Sequence, residues 1–174
     1  MSCTKPHIAY NTGENEWYTP PTYIEAARLV LGTIELDPAS SDVAQHTVKA
    51  NTYYTKAQDG LTKNWKGNVW MNPPFAAGLI TAFVGKFIHH FKASDITSGI
   101  VLVNNATETR WFQELASVSS MVCYPSKRIR FLDPQGRPGS PLQGQALVYC
   151  GNEANRFASA FNRFGLILLR AKEE

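Results

Sequence analysis

An α/β fold, Rossmann-like, with a mostly parallel sheet and helices on both faces, is the class predicted by this chain of 174 residues. Three observations lead there. Apolar runs of strand length alternate with segments of helical period, as in βα units. The run Gly99-Ile100-Val101-Leu102-Val103 is continuously apolar, as a strand buried on both faces must be. Two predicted strands end in unusual polar or Pro-containing sequence, which in open α/β sheets marks the ligand-binding edge.

The elements follow in order. Thr19 is a predicted cap for a first helix, with Pro20 and Pro21 in first-turn positions that need no donor, Ile24, Ala27 and Leu31 at helical spacing, and Gly32 to end it. Residues 33–37 read as a short buried strand, residues 41–50 as a weak helix, Asp59-Gly60 as a turn, and residues 68–71 as a second strand. A helix is expected just after Phe75, since Leu79, Ile80, Phe83, Val84, Phe87, Ile88 and Phe91 recur with a period near 3.6. Strand 99–103 precedes a helix capped near Thr107 that carries Trp111, Phe112, Leu115 and Val118. Residues 120–124, 145–150 and 166–169 are strand-like, and the last two flank a helix with Phe157, Ala160, Phe161 and Phe164. Between them, residues 132–144 are dense in Gly and Pro and form a loop.

Composition sets limits on function. With 44% hydrophobic and 18% charged residues, disorder and fibrous structure are excluded, and residues 1–174 are expected to form one domain with a flexible stretch at 1–15. Seventeen Lys and Arg against fourteen Asp and Glu give a net charge of +3, which permits a nucleic-acid partner without demonstrating one. Cys3, Cys123 and Cys150 lack CxxC spacing, so they suggest neither a disulfide framework nor a zinc site, and Cys123 and Cys150 read as core residues. The polar N-terminal stretch and the absence of a long apolar run predict no signal peptide or membrane anchor and a cytoplasmic protein. Oligomeric state is left open.

Asn72-Pro73-Pro74-Phe75, between an apolar strand and a long helix, is the most specific signal. Two prolines stiffen the backbone and remove two N–H donors, leaving carbonyls without local partners. The Asn72 side-chain carbonyl and the Pro73 main-chain carbonyl can each accept one hydrogen of an exocyclic amine, while Phe75 offers a face for a planar ring. Acceptors arranged in this way localise the nitrogen lone pair and stabilise the positive charge that grows as the nitrogen is alkylated. The plainer alternative is a strand stop in which Asn72 caps the next helix.

With that tetrad the sequence resembles the amino-group DNA methyltransferases, whose signature is [Asp/Asn/Ser]-Pro-Pro-[Tyr/Phe/Trp], and more closely the phage and prophage DNA N-6-adenine methyltransferases of the Dam family. The resemblance covers about residues 16–150. It rests on Trp17-Tyr18-Thr19-Pro20-Pro21, Glu35-Leu36-Asp37-Pro38-Ala39, Tyr53-Tyr54-Thr55, Asp59-Gly60-Leu61, Trp65-Lys66-Gly67, the tetrad, and Lys127-Arg128-Ile129-Arg130-Phe131. It implies S-adenosylmethionine as cofactor, DNA as partner and N6-methylation of adenine as activity. It also implies catalytic roles for Asn72, Pro73, Pro74 and Phe75, and cofactor contacts from Trp17, Thr19, Pro20, Asp37, Ala39, Asp59, Gly60 and Asn72. Within that set Thr19 corresponds to the residue meeting the methionine carboxylate, Asp37 and Ala39 to the first cofactor motif, and Asp59 to the acceptor for the adenine amine of the cofactor. Where larger enzymes of this type continue with a Gly-rich turn, this chain has Ser40-Ser41-Asp42-Val43. Asp42 is a candidate for the ribose, or a solvated residue at a helix start, and Asp59 by itself reads as turn chemistry.

Lys127, Arg128, Arg130, Phe131 and Arg137, with loop 132–144, are the candidate DNA-facing group, or else solubility charges at a strand edge. His89 and His90 lack matching ligand partners and are read as helix residues, so no metal is expected. N4-cytosine methylation, RNA or protein-glutamine methylation, and a catalytically silent nucleic-acid-binding relic are the alternatives.

Overall fold

A computed structural model describes residues 17–140 and 143–171. The expected flexible stretch 1–15 and Cys3 lie outside the described residues, as do positions 141 and 142 of the predicted loop.

Strands β1 (Leu36–Ser40), β2 (Thr52–Thr55), β3 (Gly67–Met71), β4 (Ile96–Asn104), β5 (Met121–Pro125), β6 (Gln145–Cys150) and β7 (Gly165–Leu169) form one sheet in the order β2-β1-β3-β4-β6-β5-β7. Pairs β1/β2, β1/β3 and β3/β4 are parallel, whereas β4/β6, β5/β6 and β5/β7 are antiparallel. The sheet is therefore mixed, which corrects the expectation of a mostly parallel one. No helix separates β5 from β6, so the chain returns through a long loop, and β6 slots antiparallel between β4 and β5. Hydrophobic period fixes which face of a strand is buried but not its direction.

Helices α1 (Pro21–Leu31), α2 (Asp42–Val48), α3 (Leu79–Lys92), α4 (Arg110–Val118) and α5 (Ala154–Phe161) divide between the two faces. Ile24, Ala27, Val30 and Leu31 of α1 share one core with Phe157 and Phe161 of α5 and with Trp70, Ile100, Leu102, Leu147 and Tyr149 of the sheet. Phe83, Val84 and Phe87 of α3 and Phe112 and Leu115 of α4 build the other against Val69, Met71, Val101, Val103 and Val148. Alternate residues of β4 thus point into opposite cores, as an all-apolar central strand requires. On the first face Tyr149, Phe157 and Phe161 stack in series, with centroids 5.1 and 4.5 Å apart. Phe164, expected inside the last helix, lies beyond its end and stacks on Tyr23 of α1 at 4.3 Å.

Several helix starts depart from expectation. The N-cap of α1 is Pro20, with no side-chain cap bond, and the Thr19 hydroxyl is engaged elsewhere. Helix α3 starts at Leu79 after a short turn rather than just after Phe75, which leaves Leu79 44% exposed. Thr109, not Thr107, caps α4 by accepting from the Phe112 N–H at 3.4 Å. Strand β2 was not anticipated, because Thr52-Tyr53-Tyr54-Thr55 is short and lies at the edge of the sheet.

Candidate active site

The predicted site residues gather along the sheet edge where β1, β3 and β4 end. Leu36 of β1 is level with Val69 of β3. Beyond Asp37 the β1 register is irregular, with Ser40 opposite Thr55 of β2.

Asn72 follows directly on β3. Its amide nitrogen donates to the Thr19 hydroxyl at 3.3 Å, while its Oδ1 is buried with no hydrogen-bond partner among the described residues. A buried acceptor without a donor is costly, on the order of 1–3 kcal/mol, and is rare outside functional positions. The capping alternative for Asn72 fails, since α3 begins at Leu79 with Gly78 as its N-cap. Pro73 is buried and Pro74 exposed, while the Phe75 ring, 38% exposed, stands free for a planar partner. The tetrad thus combines a rigid backbone, a buried acceptor without a partner among the described residues and an exposed aromatic ring.

At the end of β1, Asp37 is only 2% exposed. Its Oδ2 accepts from Gln45 Nε2 at 3.0 Å, and the Ala39 N–H lies 3.4 Å from its Oδ1. Burial pushes its carboxyl up to about 6, and hydrogen bonds from Ser40, Ala39 and Gln45 hold it from rising further. Gln45 also donates to Ser40 Oγ at 2.7 Å and accepts from the Ala50 N–H at 2.8 Å, so one amide locks the β1–α2 junction. Sequence reasoning passed over Gln45, because a Gln in a weakly amphipathic segment carries no distinguishing signal.

The Asp59-Gly60 turn presses onto the same strand end. A Cβ on Gly60 would come within 2.0 Å of the Pro38 carbonyl oxygen, so only glycine permits the approach. Asp59 has a left-handed backbone, φ 49°, and accepts from the Leu61 N–H at 3.1 Å. Its turn role is therefore real, and the turn lies beside the β1 segment that carries Asp37. Trp65 secures the turn from below, its indole donating to the Gly60 carbonyl at 2.8 Å.

Ser40, Ser41, Asp42, Thr55 and Lys56 line a cleft of about 310 Å³ between the ends of β1 and β2. Tyr53 donates to Asp42 Oδ1 at 2.8 Å, which fixes that carboxylate at the rim.

The chain leaves β5 after Pro125 and enters β6 at Gln145 at this same edge, because Cys123 pairs with Leu147 and Leu147 with Leu102. Of the predicted DNA-facing group, Lys127, Arg128 and Arg130 are exposed and alternate with the buried Ile129. Phe131 is half-buried, packed in part against the core. Arg137 is held inside the loop, its Nε donating to Asp133 Oδ2 at 2.7 Å and its Nη2 to Gln135 Oε1 at 3.1 Å. Asp133 organises that turn, accepting also from the Gln135 and Arg137 N–H groups, which holds its carboxyl below the usual range. A second, polar cleft of about 380 Å³ lies between Asn104, Asn105, Arg128, Gln143 and Gly144.

Residues 17–19 join these parts. The Tyr18 N–H donates to the Leu132 carbonyl and the Leu132 N–H to the Tyr18 carbonyl, both at 2.8 Å. A Cβ on Gly139 would collide with the Trp17 ring at 2.2 Å, so the ring lies flush against the loop. Thr19 then reaches Asn72.

The order of these parts along one sheet edge agrees with a comparison of whole sequences: a family model described as DNA N-6-adenine-methyltransferase (Dam) matches residues 9–150. The chain belongs to the Dam family. A DNA N-6-adenine-methyltransferase of Haemophilus phage HP1 (strain HP1c1) is 27% identical over 93 residues, 51% of each chain. The match thus spans about half the length of that relative. In this Dam-family chain α5 and β7 lie beyond the matched region, and every predicted site residue lies within it.

Other candidates have structural roles. His90 Nδ1 lies 2.8 Å from Asp95 Oδ2, and its ring stacks on Trp65. Cys123 and Cys150 are buried free thiols, and burial pushes Cys123 up to about 12 and Cys150 strongly upward, so both are held as thiols at neutral pH. No helix of the described residues is long and apolar enough to cross a membrane.

Proposed function

We propose that this chain is a Rossmann-like methyltransferase acting on the N6 amine of adenine in DNA. The observation that carries the reading is the buried, donor-less Oδ1 of Asn72 beside an exposed Phe75. Oδ1 accepts one hydrogen of the amine and the Pro73 carbonyl accepts the other. Both acceptors strengthen their bonds as the nitrogen becomes tetrahedral and cationic, so they bind the transition state better than the flat, conjugated ground state. Phe75 stacks on the base, which must leave the duplex to expose its amine to the site.

The donor set at the ends of β1 and β2 fits S-adenosylmethionine, which when bound supplies an electrophilic methyl group. Carboxylates at Asp42 and Asp59 suit a ribose and an adenine amine, Ser40, Ser41 and Thr55 add hydroxyls, and the buried Asp37 braces the β1 segment that carries them. Trp17, Thr19, Pro20, Ala39 and Gly60 complete that edge. The exposed Lys127, Arg128 and Arg130 supply sequence-independent phosphate contacts, and Arg137 braces the loop that faces DNA.

The test is labelled methyl transfer from S-adenosylmethionine to duplex DNAs, with identification of the methylated nucleoside. N6-methyladenine is expected. N4-methylcytosine as the product, or transfer to RNA or protein in preference to DNA, overturns the reading.

A further inference from the structure

We infer that Thr19 is a positioning residue for the reaction, its hydroxyl holding the Asn72 side-chain amide in place for the substrate amine. The inference rests on the methyl-transfer reading above and deepens it.

An asparagine side chain ends in two groups of nearly equal shape and opposite hydrogen-bonding character, and only the carbonyl end can accept from an amine. In this structure the Nδ2 end donates to Thr19 Oγ1 at 3.3 Å, and the Oδ1 end is the unpaired buried acceptor. Turning the amide over would place two N–H donors where the amine must also donate; Thr19 Oγ1, which can accept or donate, fixes the place of the side chain, and the donors of the substrate amine favour the orientation seen here. The Thr19 hydroxyl is available for this task because it caps no helix: Pro20 is the N-cap of α1 and makes no side-chain bond. Its position is fixed from both sides. Pro20 and Pro21 stiffen the chain after it, and the paired Tyr18–Leu132 bonds anchor the residue before it. Thr19 is itself 8% exposed, so water competes poorly for the contact.

This role differs from the one the family resemblance implies, in which the same threonine meets the methionine carboxylate, and the two are separable. Thr19→Val keeps the shape and removes the acceptor. With the positioning role, kcat falls about tenfold, the size of one modest hydrogen bond. The dissociation constant of S-adenosylmethionine stays within about twofold, Thr19→Ser restores turnover, and Thr19→Val adds no further loss in an Asn72→Ala background. A reading without turnover comes from the side-chain amide resonances of Asn72 in the cofactor-free protein, assigned by their loss in Asn72→Ala. They should shift and exchange faster with water in Thr19→Val and keep their positions in Thr19→Ser. Unmoved resonances in Thr19→Val, or weakened cofactor binding with unchanged kcat, overturn the inference. A wild-type chain that methylates no nucleic acid overturns the methyl-transfer reading instead, and the amide resonances still decide the Thr19 contact.

Discussion

Asp37 offers a quantitative test of how the β1 edge is built. Its carboxyl is buried and titrates near 6, against 3.8 for the free side chain. Between those values the folded protein holds a proton that the unfolded chain has released, so stability must fall as pH rises through that window. A displacement of about two pH units corresponds to roughly 3 kcal/mol, present in full below pH 4 and lost above pH 7. Asp37→Asn removes the titration but leaves one oxygen to serve both Gln45 Nε2 and the Ala39 N–H, which costs about 1 kcal/mol at any pH. The variant should therefore be less stable than the wild type near pH 4 and as stable or more stable near pH 7.5. Urea denaturation of both proteins at the two pH values, extrapolated linearly to water, measures the gap. A gap that stays constant with pH, or that moves in the opposite direction, refutes the assignment of a strained, buried carboxyl at this position.

Three other outcomes are expected. Asn72→Ala should lower kcat by about 10² to 10³, the usual loss for one preorganised electrostatic contact, while calorimetry finds cofactor binding nearly unchanged. Gly60→Ala forces the turn away from the Pro38 carbonyl and should lower the melting temperature by on the order of 5–10 °C, for a cost of about 2–3 kcal/mol. Replacing Lys127 and Arg130 together by Ala should weaken DNA binding at every sequence and flatten the salt dependence of log K by about 2, whereas Arg137→Ala should change that slope less, since Asp133 already holds its guanidinium.

Much of the helix content was legible because burial imposes period: the α3 stripe Ile80, Phe83, Val84, Phe87, Ile88 is read from spacing alone and is buried as read. Strand β6 was also legible to its end residues, being apolar from Ala146 to Cys150 and bounded by polar loops. Strand direction was not, because β4, β5 and β6 carry the same apolar texture whichever way they run. At the site, Asn72-Pro73-Pro74-Phe75 announced itself through residue types rare in combination. The Thr19–Asn72 and Asp37–Gln45 contacts could not be read. The first joins residues 53 positions apart, and the second depends on the angle at which α2 leaves β1. The partial burial of Phe131 could not be read either, since the alternation that exposes Arg128 and Arg130 packs Ile129, and Phe131 in part, against the core.

The antiparallel placement of β6 between β4 and β5 has an evolutionary consequence. The segment that returns from β5 to β6 joins two neighbouring strands whose last paired residues are Cys123 and Leu147. Those anchors are held one strand spacing apart by the sheet itself, about 5 Å, whatever lies beyond them. Doubling the length of such a loop adds only about 0.6 kcal/mol of closure entropy. The scaffold can therefore exchange short inserts for long ones at this place while the Asn72-Pro73-Pro74-Phe75 segment stays where it is.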